Sequence, residues 1–346
     1  MLVQAAKQIA RQWVLEQARH LPGLVGAFYA GSTAWLADEA DLPATSDLDI
    51  MVVLDTPRAP EKPGKFRYRD VLLEVTYLSA EQFQSPEQIL SHYHLAPSFS
   101  RAGLILDPSG RLAHLQQTVA RDFAKRPWVV RRCLQARDTV LARTRSLDGS
   151  APLHGQVIPW LFAAGGTPHV LLVAGLRNPT VRLRYLAARA LLVEYGIGAF
   201  DEPLLELLGC AHLSRERVAH HLAPLAAIFD AAKTLIRTPF PFAGDLSESA
   251  RPVAIDGSRE LIERGDHREA VFWMAVTYSR CQQVLSVDAP AALRERFTPG
   301  YRALLADLGI RSPADLKRRC AQVVAFLPQL WTMTETILAA NPEIED

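Results

Sequence analysis

Cysteine is scarce and unpaired in this chain: Cys133, Cys210, Cys281 and Cys320 stand far apart with no C-x-x-C step. That spacing suggests neither a zinc knuckle nor a disulfide framework, and it leads us to expect a reduced, cytoplasmic protein. A dominant charge is missing too. At +1 overall the chain lacks the global basicity of a dedicated nucleic-acid binder. There is no internal repeat and no low-complexity run.

The amino terminus lacks the apolar core of a signal peptide. Lys7, Arg11, Glu16 and Arg19 interrupt it, while Leu2, Ala6, Ile9 and Trp13 recur at helical spacing, which predicts an amphipathic helix packed on the body of the protein. Residues 156–176 carry no Asp, Glu, Lys or Arg, yet Gly165, Gly166, Pro168 and His169 break the stretch. A membrane span needs about 20 predominantly apolar residues with every backbone group satisfied, so a broken, buried segment is expected and no membrane association.

What is present is apolar material in quantity. With 346 residues, 49% of them hydrophobic, the chain can bury a large core, and the length suggests two domains. Strands are expected at Leu24 to Tyr29, over the segment after Asp47, from Phe66 to Leu78 as one long strand, and at Gly103 to Leu106. Pro57, Pro60 and Pro63 mark a loop, residues 80–92 look helical, and Asp107 to Gly110 reads as a turn. Beyond residue 111, three-four apolar spacing predicts helices over 111–125, 127–146, 180–195, 202–210, 214–236, 258–264, 268–286, 300–308 and 313–340. The fold class expected is α+β: a small mixed-sheet domain over residues 1–110, then a larger all-helical domain over 111–346.

Three acids stand out against this background. Gly31-Ser32 is followed, after fourteen intervening residues, by Asp47-Leu48-Asp49, and Glu74 lies twenty-five positions after Asp49 inside Val71-Leu72-Leu73-Glu74-Val75-Thr76-Tyr77. Leu48, Ile50, Val52 and Leu54 alternate with Asp47, Asp49 and Met51, so a strand buries the first set and holds both aspartates on one face. Carboxylate oxygens grouped in this way suit hard divalent cations such as Mg2+. Each piece alone has an ordinary reading: Gly-Ser before a helix is usually a turn and a cap, and Ser46-Asp47 is usual turn chemistry. Glu74 is harder to dismiss, because an acid in an apolar run needs a cation or a hydrogen-bonding partner once buried.

The Gly31-Ser32, Asp47-x-Asp49 and Glu74 pattern resembles the nucleotidyltransferase superfamily that includes DNA polymerase beta, and within it the aminoglycoside (kanamycin-type) nucleotidyltransferases. The likeness covers residues 24–110. It implies that Gly31 and Ser32 open a short helix from Thr33 that cradles a nucleoside triphosphate. It also implies that Asp47 and Asp49 bind two Mg2+ ions, and that Glu74 completes the catalytic centre. Ser46 joins the nucleotide-binding candidates. Relatives often read Gly-Ser-x-Ala-Arg-Gly where this chain reads Gly31-Ser32-Thr33-Ala34-Trp35-Leu36, so the basic residue is missing at position 35.

The helical region offers weaker candidates. Arg182 and Arg189 lie seven apart on one helical face and are candidates for the triphosphate, a solvated basic face being the alternative. Glu194 is a candidate for orienting the acceptor, or else an exposed or ion-paired acid. Between residues 121 and 145, arginine and lysine outnumber the acids, which suits either an acidic partner such as RNA or plain solvation. The expected activity is transfer of a nucleoside monophosphate, AMP from ATP, to a hydroxyl of a small molecule, which the resemblance implies to be aminoglycoside-like, with release of pyrophosphate. The alternatives are transfer to RNA or protein, and a nucleotide-binding module without turnover.

Overall fold

A computed structural model describes residues 1–56 and 62–346. By compactness the chain divides into one unit of Met1–Gln135 with Leu176–Pro179 and Pro342–Asp346, and a second of Ala136–Gly175 with Thr180–Asn341. A mixed five-stranded sheet lies in the amino-terminal part, and the rest is mostly helical.

The chain enters through helix α1 (Val3–Glu16), whose buried stripe is Val3, Ala6, Ala10, Trp13 and Val14. Leu2, placed on that stripe from the spacing, is instead 47% exposed and bridges to Asp41. Strands β1 (Leu24–Ala30), β2 (Leu48–Leu54), β3 (Gly64–Tyr68) and β4 (Val71–Ser79) follow. Helices α2 (Pro86–Ser91) and α3 (Leu95–Phe99) precede the short strand β5 (Leu104–Leu106) and helix α4 (Arg111–Asp122). The sheet order is β3-β4-β2-β1-β5, with β2 and β4 parallel and the other pairs antiparallel.

One expectation is corrected here. The long strand from Phe66 to Leu78 is a hairpin, β3 turning into β4 at Arg69-Asp70, with Tyr68 paired to Val71 and Lys65 to Glu74. Arg69 takes a positive φ of 51° at the turn, as two-residue hairpin loops require. Pro57 and Pro60 of the expected loop lie outside the described residues.

Period-two alternation gives the sheet two apolar faces. Leu48, Ile50, Val52, Leu73 and Val75 pack against Ala6, Ala10, Trp13 and Val14 of α1. On the opposite face Phe28, Ala30 and Val53 pack with Phe83, Ile89, Leu95, Phe99, Leu112, Leu115 and Val119. Phe28, Phe83 and Phe99 meet edge to face at centroid distances of 5.1–5.9 Å.

The helical region comprises α5 (Arg126–Arg145), α6 (Leu153–Ala164), α7 (Thr167–Ala174), α8 (Arg184–Glu194), α9 (Asp201–Leu208), α10 (Arg215–Leu235), α11 (Gly257–Glu263), α12 (His267–Asp288), α13 (Ala291–Asp307) and α14 (Pro313–Ala340). Helix α13 begins well before the expected residue 300, because Pro299 is accommodated inside it. Helix α12 is central: it packs against α6, α10, α11 and α13 and is buried on every side from Glu269 to Ser279. Residues Leu153–Ala174 and Pro313–Ala340 are each long and apolar enough to cross a membrane by length and composition, and 83% of the apolar 18-residue window in the first is buried inside the protein. It is the broken segment expected, two helices separated at Gly165-Gly166.

Candidate metal centre

Parallel pairing sets Asp49 of β2 directly opposite Glu74 of β4. Their strand neighbours Leu48, Ile50, Leu73 and Val75 all point into the core under α1. Both acids therefore leave the sheet on the other face. Asp47 stands two residues before Asp49 and shares that side. A ligand oxygen from each of the three comes within 4.8 Å of the other two, and all three residues are partly buried. Hard oxygen donors gathered this closely can hold a metal ion. Burial first, then the negative charges of Asp47 and Glu74, push the Asp49 carboxyl well above the ordinary carboxylate range, against the opposing pull of Lys65 and Lys62.

The Gly31 turn is built onto this centre. Ala30, the last residue of β1, pairs with Asp49, so the chain turns beside that carboxylate. Gly31 sits at φ 59° and ψ −151°. The backbone itself favours glycine there, and a Cβ would also overlap the Asp49 carboxylate and force it to shift. The helix expected from Thr33 is a single 3-10 turn, Ser32–Ala34, closed by Trp35 N–H donating to the Ser32 carbonyl at 3.0 Å. The reason lies just downstream. The carbonyls of Asp38 and Ala40 accept from Gln4 and Val3 at the start of α1, which draws the chain across that helix end instead of letting it coil.

Two lysines absent from the candidates read in the sequence enter the site. Lys65 Nζ lies 2.9 Å from Asp47 Oδ2 and donates to Glu74 Oε2, and its side chain is only 6% exposed. Lys62 Nζ donates to Glu74 Oε1 at 2.8 Å from a more exposed position. The signal was present in the sequence: a turn at Arg69-Asp70 pairs residue 68 with 71 and hence 65 with 74. Reading one long strand across that turn hid it.

Position 35 holds a further surprise. In place of a basic side chain it carries Trp35, over whose ring Arg101 stacks 3.9 Å from the centroid at the end of the turn. Arg101 is exposed.

The remaining candidates have the following settings. Ser46 closes a turn, its N–H donating to the Pro43 carbonyl at 3.0 Å, immediately before Asp47. Arg182 is partly buried ahead of α8, and Glu194 is exposed near the end of that helix. Arg189 is engaged by acids, donating to Asp266 at 2.5 Å and to the buried Glu269.

No family model matches the chain, and no curated protein matches it. Among solved structures it is similar to a nucleotidyltransferase-like protein from Exiguobacterium sibiricum 255-15, at 12% identity and a TM-score of 0.27, over 85% of this chain and 91% of that one.

Proposed function

We propose that this protein is a Mg2+-dependent nucleotidyltransferase that moves AMP from ATP to a hydroxyl of a small acceptor, aminoglycoside-like in chemistry, and releases pyrophosphate. The observation that carries the reading is the meeting of Asp47, Asp49 and Glu74 within 4.8 Å of one another, beside a turn that favours glycine. A pair of Mg2+ ions would supply charge neutralisation at the reacting phosphate. Asp47 and Asp49 would hold them, and Glu74 would complete the set from the neighbouring strand.

Gly31 and Ser32 offer a side-chain-free approach for the triphosphate, and Arg101 presents a cation at the end of the same turn. Ser46 flanks the first aspartate. In the transfer, the acceptor oxygen bonds to the α-phosphorus as the bond to pyrophosphate breaks, and a Glu74 oxygen receives the acceptor's proton. Positioning and electrostatics carry the rate, because phosphoryl transfer asks little covalent work of the protein.

A small acceptor is favoured over RNA by the state of the basic segment 121–145. Arg121 and Lys125 pair with Asp122, Arg126 with Asp346 and Arg137 with Asp138. Arg132 is buried and bonded to the Leu90 and Phe123 carbonyls. A phosphate backbone would have to compete for most of these cations. The test incubates the protein with α-labelled ATP, Mg2+ and fractionated cell extract. Label on a small, hydroxyl-bearing molecule together with free pyrophosphate is expected; label on RNA or protein, or no release, rejects the reading.

A further inference from the structure

The ammonium group of Lys65 sits among the very oxygens that form the candidate metal centre. It bridges Asp47 Oδ2, at 2.9 Å, and Glu74 Oε2, the first residue standing just before β2 and the second within β4. Lys62 takes the remaining Glu74 oxygen at 2.8 Å. The three acids thus face two ammonium groups. A divalent cation entering this arrangement meets oxygens already occupied, and it must approach Lys65 at a distance where like charges repel strongly in a poorly solvated site.

We infer that Lys65 is a built-in counter-ion for the metal centre, one that holds the carboxylates together before loading and moves to a phosphate oxygen of the incoming nucleotide when the metal takes its place. This rests on the nucleotidyltransferase reading of the same site. The geometry supports both halves of the exchange. The backbone of Lys65 is locked in register with Glu74, so only the flexible stem has to move, and the ammonium stays beside the centre after it lets go. Its new partner is set by charge: once the carboxylates are neutralised by metal, the strongest anion within reach is the triphosphate. Metal without nucleotide would then bind weakly, because it evicts Lys65 and gives it nothing in return. Metal delivered with nucleotide binds well. Lys62, more exposed and paired with Glu74, contributes the same effect in smaller measure.

The experiment measures Mn2+ binding without nucleotide, MgATP binding, and thermal midpoint in EDTA for wild type, Lys65→Met, Lys65→Gln, Lys62→Met and Asp49→Asn. Glutamine keeps hydrogen-bond donors on a long stem, so it provides a folded variant should methionine fail. Removing the Lys65 charge should tighten Mn2+ binding by about tenfold or more while weakening MgATP by a similar factor. It should also lower the metal-free midpoint by about 5 °C, a loss that Mn2+ restores. A merely structural lysine would move the midpoint without pushing the two affinities in opposite directions. If wild type binds Mn2+ through Asp49 but the Lys65 variants bind it no more tightly, the counter-ion role is overturned and the metal centre stands. If neither wild type nor any variant binds Mn2+, the metal reading falls and the inference with it.

Discussion

Asp49 and Glu74, twenty-five residues apart in the chain, are direct partners in the parallel pairing of β2 with β4. Their carboxylates repel each other, and the fold holds them together regardless. Such strain is stored where it is useful, and here it is partly relieved by lysines.

The first prediction concerns that repulsion. Asp49→Asn should abolish transfer and raise the stability of the metal-free protein by about 1–2 kcal/mol at pH 8. The sign follows from the raised carboxyl of Asp49. Between the ordinary carboxylate range and the raised folded value, the folded state holds more protons than the unfolded one, so stability falls as pH rises through that window. Well below the ordinary range both states are protonated and the advantage of the variant disappears. Denaturant titrations of wild type and variant in EDTA from pH 4 to pH 8 measure the difference, and a gap that does not widen with pH contradicts the assignment.

Gly31→Ala should cost about 1–3 kcal/mol, through strain at a positive φ and collision with the Asp49 carboxylate. Because the collision displaces a metal-binding oxygen, Mn2+ affinity should fall as well. Calorimetry with Mn2+ checks this: a variant of normal stability and normal metal binding shows that the turn is not built onto Asp49.

Glu74→Gln is expected to leave ATP affinity within about threefold and to lower the chemical step at least about a hundredfold, since the lost carboxylate serves the reacting centre. Single-turnover kinetics beside equilibrium binding separate the two. Equal losses in both would make Glu74 a residue that holds the sheet together rather than one that acts on the acceptor.

Arg189→Ala should destabilise the protein by about 3 kcal/mol or more, because Glu269, only 2% exposed, loses the guanidinium that neutralises it. Arg189→Ala combined with Glu269→Gln should recover much of that loss. Should the single variant keep full stability but lose affinity for ATP, Arg189 belongs to the triphosphate after all.

The acids were legible in the sequence because their signal is local. Alternation of Leu48, Ile50 and Val52 with Asp47, Asp49 and Met51 settles which side of a strand each residue occupies, whatever the strand packs against. Helices such as α10 and α14 were legible for the same reason, since three-four spacing and a capping Ser or Pro declare themselves within a few residues. Which strand lies beside β2 is not a local matter. The pairing of Asp49 with Glu74, the hairpin that sets Lys65 across from Glu74, and the stacking of Arg101 on Trp35 join residues far apart or across a turn whose type no apolar pattern reveals. Nor does Gly31 announce why glycine is favoured there until the Asp49 carboxylate stands where its Cβ would be. The chain's own periodicity determined the faces, and only the closing of the sheet decided which charges meet, because hydrophobic burial fixes what goes inside while backbone register selects the neighbours left on the polar side.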